Sequence, residues 1–201
     1  MEELQFITPL CELAYKYKTD KCPQIAHSYT PFYYELLKDK RESIKKVLEM
    51  GIGYLTVANK LEGYVVGASL FMWRDFFPNA QIYGADIVPG SLVSDDRVET
   101  FLCDETKEED LIELIKKTGG DIDLFIDDGS HKKEDQIFLA KTLMPLLKKD
   151  VIYIIEDVRF NRTISRALSQ YDCETPDLSR PDVHVSNLRH NDRVIIVKRK
   201  A

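Results

Sequence analysis

No apolar run in the sequence approaches the ~18 residues that suggest a membrane-spanning helix. The N-terminus, MEELQFITPL, lacks the basic start and long apolar stretch of a signal peptide. Cysteine is sparse, and Cys11, Cys22, Cys103 and Cys173 show no CxxC spacing. They offer neither a zinc-site pattern nor a disulfide framework, so they read as reduced thiols in a cytoplasmic protein. Positive charge is in deficit. A formal net charge of -6 argues against a nucleic-acid partner, because phosphate binding wants a basic surface. The KRK at 198–200 is too short to alter that and reads as a solvated strand end. Internal repeats and low-complexity linkers are missing too, and 201 residues fit one domain that can bury most of its apolar surface.

What is present after residue 43 is an alternation of β-rich and helical stretches. IKKVLEMG (44–51), QIYGADI (81–87), VETFLC (98–103), IDLFID (122–127) and VIYIIED (151–157) read as strands. ASLFMWRDFF (68–77) reads as a helix stopped by Pro78. Thr106 and Glu109 have the spacing of a capping box ahead of the stripe Leu111, Ile112, Leu114 and Ile115, which Gly119 and Gly120 end. Ile137, Ala140, Leu143 and Met144 mark a helix beyond the fourth strand, and TISRALSQY (163–171) is predicted helical. DVHVSNL (182–188) and RVIIVKR (193–199) look like a terminal hairpin turning at residues 190–191. The pattern predicts an α/β fold with a mostly parallel sheet and right-handed crossovers, whose ligands bind at the carboxyl ends of the strands. Residues 1–43 would be an N-terminal helical cap over the edge of strand one, or simply pack Tyr15, Tyr17, Tyr29, Tyr33 and Tyr34 into the core; 44–201 would be the core of the same domain.

VLEMGIG places Glu49, Gly51 and Gly53 at the exit of the first strand. The dinucleotide pattern GxGxxG is incomplete, because Thr56 stands where a third small residue belongs. A carboxylate beside a pyrophosphate would be repulsive, so Glu49 disfavours NAD and suits a ligand with a cationic amino or sulfonium group. Asp86 ends the second strand, where an acid can accept from both ribose hydroxyls, and Asp104 follows the third, within reach of an adenine amino group. A helix-cap role for Asp104 competes with that reading. Together the acids describe a pocket for S-adenosylmethionine.

LFIDDGSHKKED (124–135) sets two adjacent carboxylates, Asp127 and Asp128, at the end of the fourth strand; the fifth ends in Glu156 and Asp157. Paired in parallel, the two strands lie ~4.8 Å apart. At least three acids then meet at one sheet edge, which calls for a counter-ion. A hard divalent cation with oxygen ligands, Mg²⁺ or Mn²⁺, answers that need. A lysine or arginine filling that place in abundant magnesium would end this reading. Ser130 reads as an N-cap and His131 as a functional histidine at the helix start, whereas His27, His184 and His190 read as structural or surface residues.

The segments LAYKYKTDK, HSYTPFYYELL, VLEMGIG, GASLFMWRDFFPNAQIYGADI, DLFIDDGSH and YIIEDV together resemble the metal-dependent sugar O-methyltransferases of macrolide pathways, the macrocin and mycinamicin type, with relatives named cephalosporin hydroxylases. The resemblance implies a Rossmann-like class I methyltransferase fold: a mostly parallel seven-stranded sheet, helices on both faces and a C-terminal antiparallel hairpin. It implies metal ligation by Asp128, Glu156 and Asp157, with His131 as general base and Asp128 as its catalytic partner. Donor contacts fall to Glu49, Gly51, Gly53, Ser69, Asp86, Asp104 and Asp127. The implied reaction is methyl transfer to a sugar hydroxyl, as on a 6-deoxysugar such as rhamnose, in a possible homodimer. The extra N-terminal domain of some members is not expected here. A catechol or other vicinal-diol methyltransferase, an NAD-dependent oxidoreductase and a non-catalytic binding module are the competing readings.

Overall fold

The structure, a computed structural model, describes residues 6–53, 63–178 and 192–200. Two short helices open the chain, α1 (Pro9–Tyr17) and α2 (Tyr29–Leu37). Thr8 caps α1 by accepting from the Cys11 backbone N–H, and Pro9 supplies the fixed φ of the first turn. β1 (Lys46–Met50) and α3 (Ala68–Phe76) follow, then β2 (Gln81–Asp86), the two-residue β3 (Ser94–Asp95), β4 (Val98–Leu102) and α4 (Glu108–Thr118). β5 (Leu124–Asp127), α5 (Lys133–Leu143), β6 (Ile152–Ile155), α6 (Asn161–Ala167), β7 (Tyr171–Glu174) and β8 (Ile195–Arg199) complete it.

The strands form one sheet of order β3-β4-β2-β1-β5-β6-β8-β7. β4, β2, β1, β5 and β6 are parallel; β3 and the β8–β7 pair are antiparallel. The chain moves outward from β1 through β2 to β4, then crosses to β5 on the other side of β1. The topological switch point therefore lies between the carboxyl ends of β1 and β5, where ligands bind in open α/β sheets. Register sets Met50 beside Asp127 and Asp127 beside Ile155, so Gly51, Asp128 and Glu156 leave adjacent strands at one level.

Each central strand buries both faces. Val47, Ile82, Leu124, Ile126 and Ile154 join the core beneath α1, α2 and α3, whereas Leu48, Met50, Phe125, Tyr153 and Ile155 join the core beneath α4, α5 and α6. The even spacing along each strand produces this division. β1 is a central strand, so residues 6–40 cover a sheet face and not an edge; Tyr29 and Tyr33 pack in the core as the second reading of those tyrosines held.

Several local expectations are corrected. The hairpin partner of β8 is β7, so Tyr171 begins a strand instead of ending a helix; DVHVSNL with His184, the turn at His190, and Thr56 fall outside the described residues. The extra strand beyond seven is β3. Thr106 makes no capping box: α4 begins at Glu108 after Lys107, because the Thr106 N–H and hydroxyl both donate to Asp104 Oδ1 in a local turn. Ser130 is not the N-cap of α5 either; Lys132 holds that position, and the Ser130 hydroxyl donates to Asp135 instead. No helix among the described residues is long and apolar enough to cross a membrane.

Candidate active site

A cavity of about 550 Å³ opens at the switch point. Its lining includes Gly51, Gly53, Ser69, Asp86 and Asp104, together with Asp128, His131 and Asp157. Gly51 has φ +80, and a Cβ there would lie 2.1 Å from the carbonyl oxygen of Asp128. Only glycine lets the two strand exits touch. Asp86 accepts from the backbone N–H of Ile52 at 3.1 Å and of Val88 at 2.8 Å, which fixes its carboxylate at the cavity wall. Asp104 is tied to Thr106 and ion-paired to Lys107 at 3.2 Å; the Thr106 hydrogen bonds first, then Lys107, lower its pKa.

Two of the expected donor residues lie beneath this wall. Glu49 is fully buried, accepts from Trp73 Nε1 at 2.7 Å, and has its Oε1 3.5 Å from Lys21 Nζ with no hydrogen bond. Asp127 is also buried; its Oδ2 has no hydrogen-bond partner, and burial followed by the charge of Glu105 pushes its pKa well above the carboxylate range.

The acids at the ends of β5 and β6 converge as their spacing predicted, but they divide between two cations of the protein's own. Lys21 Nζ, only 2% exposed, donates to Asp128 Oδ2 and to Glu156 Oε2, both at 2.5 Å. Tyr33 donates to the other oxygen of Glu156 at 2.5 Å. On the cavity side, His131 Nε2 lies 3.1 Å from Asp128 Oδ1 and 3.6 Å from Asp157 Oδ2. Tyr29 donates to Asp157 Oδ1 at 3.1 Å and accepts from the Asp157 N–H at 3.2 Å. Lys21, Tyr29, Tyr33 and Trp73 were not singled out in the sequence for these roles. Lys21 stood inside the quoted TDK, and the tyrosines were weighed for packing alone. His27 is structural as read: its Nδ1 lies 2.6 Å from Asp192 and its ring stacks on Tyr29.

His131 (φ 58) and Asp157 (φ 50) both adopt left-handed backbone without being glycine. Each such residue costs ~1–3 kcal/mol, and such strain concentrates at functional sites. It also places His131 ahead of Lys132, outside α5. Burial opposes ionisation of Asp128, but Lys21 and then His131 outweigh it and hold its carboxyl down at about 2. Burial pushes Glu156 up to about 8, against Lys21. Burial lowers the His131 pKa, yet the Asp128 hydrogen bond and the charges of Asp128 and Asp157 lift it to about 9.

One ligand atom each of Asp128, His131 and Asp157 lies within 4.8 Å of the others. This set of two carboxylates and an imidazole fits a hard divalent cation. Glu156, the third expected ligand, is turned to Lys21 and Tyr33.

A parallel sheet with this crossover, an antiparallel pair at one edge and an acid-lined cavity at the switch point define the Rossmann-like methyltransferase fold. No protein-family model matches the chain. It is 35% identical over 153 residues to mycinamicin VI 2''-O-methyltransferase of Micromonospora griseorubida, a match covering 74% of this chain and 36% of that protein. The figures for demethylmacrocin O-methyltransferase of Streptomyces fradiae are the same. An 8-demethyl-8-(2-methoxy-alpha-L-rhamnosyl)-tetracenomycin-C 3'-O-methyltransferase of Streptomyces olivaceus is 34% identical over 149 residues, 74% of this chain and 36% of that one. Among solved structures, MycE methyltransferase of the mycinamycin pathway, in complex with Mg and SAH, superposes with a TM-score of 0.71 at 28% identity, covering 96% of this chain and 54% of that one. The chain is thus a homologue of the macrocin- and mycinamicin-type sugar O-methyltransferases, as its motifs led us to expect. It spans little more than a third of the length of these curated relatives, 36% in each of the three.

Proposed function

We propose that the chain is an S-adenosylmethionine-dependent O-methyltransferase that requires Mg²⁺ or Mn²⁺ and acts on a sugar hydroxyl in a glycan or glycoside. The observation that carries this reading is the Asp128–His131–Asp157 cluster opening into the same cavity as Gly51, Ser69 and Asp86. The acceptor class is supported by relatives named for rhamnosyl substrates, which points to a 6-deoxysugar. The solved relatives held Mg and SAH together. Residues 1–43 then serve as a cap and 44–201 as the core of one domain, which works in the cytoplasm as a homodimer.

Asp128 and Asp157 hold the ion, with His131 beside them and Glu156 behind Asp128. When bound, the ion lowers the pKa of a sugar hydroxyl and orients its neighbour. The Gly51–Gly53 turn, Asp86 and Asp104 would hold the donor, Asp86 accepting from its ribose and Asp104 from its adenine. Glu49 and Asp127 act from beneath the wall, where their charge and hydrogen-bonding capacity shape the pocket. The acceptor oxygen would form its bond to the methyl carbon as the carbon–sulfur bond breaks, and the hydroxyl proton would go to the His131 imidazole, which can accept it once a bound cation has taken over Asp128 and its charge has lowered the raised His131 pKa. Proton removal of this kind contributes ~10²–10⁴-fold, and holding the reactants in line supplies much of the rest.

A labelled-methyl screen over mono- and oligosaccharides, glycosides and catechols, with and without Mg²⁺, tests the proposal. Label is expected on a deoxysugar hydroxyl and only with the ion. Transfer to catechols alone, or transfer unchanged after confirmed metal removal, contradicts it.

A further inference from the structure

Three carboxylates reach the Lys21 ammonium from three neighbouring strands: Glu49 from within β1, Asp128 from the end of β5 and Glu156 from the end of β6. Lys21 itself comes from the segment between α1 and α2, not from the sheet. Among the described residues it is the one lysine or arginine paired with any of these acids. Bringing two buried acids and the partly exposed Asp128 together without a cation is strongly unfavourable, and so is burying an unpaired ammonium. The contact also sorts the two oxygens of Asp128: Oδ2 faces Lys21, and Oδ1 faces His131.

We propose that Lys21 is a resident counter-ion and positioning residue. It holds the acidic strand ends together before any metal enters, turns Asp128 Oδ1 toward the cavity, and moderates divalent-ion affinity by its own charge. The last clause rests on the metal-dependent reading above; the first two do not. Two consequences separate this from a plain buried ion pair. The wild-type fold does not depend on the divalent ion, because a cation is already built in. Without Lys21 the strand ends do depend on it, because His131 reaches Asp128 and Asp157 but not Glu49 or Glu156 among the ion pairs of the described residues, and the ion is then the one further cation available to them.

The test compares wild type with Lys21→Met and Lys21→Arg by thermal melting in chelator and in Mn²⁺, and by electron paramagnetic resonance of bound Mn²⁺. Wild type and Lys21→Arg are expected to melt nearly alike with and without metal. Lys21→Met is expected to melt roughly 10 °C lower in chelator, to regain most of that loss in Mn²⁺, and to bind Mn²⁺ on the order of tenfold more tightly. A Lys21→Met protein that melts like wild type in chelator, or one whose loss Mn²⁺ does not repair, overturns the proposal. If Lys21→Met does not accumulate folded, Lys21→Met/Glu156→Gln decides. Removing one charge of each sign is expected to restore folding in chelator, whereas simple loss of lysine packing is not repaired that way. Wild type that binds no Mn²⁺ sinks the metal-dependent reading; the counter-ion role is then judged by the chelator melts of these variants alone.

Discussion

Gly51→Ala strikes the one place where the donor turn and the cation ligands touch, and its cost divides into two parts. The first is backbone strain: φ is +80, and an L-residue in that region costs ~1–2 kcal/mol. The second is overlap. The new Cβ would stand 2.1 Å from the Asp128 carbonyl oxygen and 2.7 Å from the Gly129 Cα, both backbone atoms, so β5's exit must move. Overpacking of that kind costs ~1–3 kcal/mol. The sum, about 2–5 kcal/mol, corresponds to a fall of roughly 5–20 °C in melting temperature for a chain of this size. Gly63→Ala is the control. It has the same φ of +80, but the nearest atom to a new Cβ is Lys18 Cγ at 3.8 Å, so it carries the strain without the overlap. Displacing Asp128 by ~1 Å should also cost about 10²-fold in turnover. Differential scanning fluorimetry and single-turnover methyl transfer read both effects. A Gly51→Ala protein that melts no lower than Gly63→Ala and turns over normally would refute the close-approach argument.

His131→Ala is expected to keep donor and Mn²⁺ binding while losing about 10²–10⁴-fold in turnover; a near-normal rate removes His131 from the proton path. In chelator the His131 imidazole is expected to titrate near 9, above its ordinary 6.5, by NMR. The sign follows from the raised value: its stabilising ion pair is fully present below about 6.5 and is lost as pH rises through about 9. Wild type should therefore lose stability across that window, and His131→Ala should not; equal pH profiles contradict the pairing with Asp128. Trp73→Phe removes a hydrogen bond to Glu49 Oε2 in full burial, which should cost about 1–3 kcal/mol in denaturant melts; an unchanged midpoint means that another donor replaces it.

The strand ends were legible because continuous apolar runs stop at acids: the exits carrying Glu49, Asp86, Asp128 and Glu156 all lie on the sheet edge where alternation of strands and helices put them. The switch point followed from the same alternation. What the sequence concealed was the third dimension of the N-terminal segment. Nothing in the spacing of Lys21, Tyr29 or Tyr33 points at Asp128, Asp157 or Glu156, which are more than a hundred residues away. Buried tyrosines pack in cores in any case, so their hydroxyl partners had no separate signature. The caps failed for a local reason: Asp104 and Asp135 capture the hydroxyls of Thr106 and Ser130 before the helices begin. The C-terminal hairpin was expected between neighbouring stretches, but β8 pairs with β7 across an insertion of some twenty residues.

The measurement that tests the central claim most directly is a crystal structure of the protein grown in Mn²⁺ and recorded at a wavelength where manganese scatters anomalously. A single anomalous peak between the cavity-facing oxygens of Asp128 and Asp157, with Lys21 still against Glu156, is the predicted result. A site without that peak in abundant Mn²⁺, with only Lys21 and His131 among the acids, would contradict it.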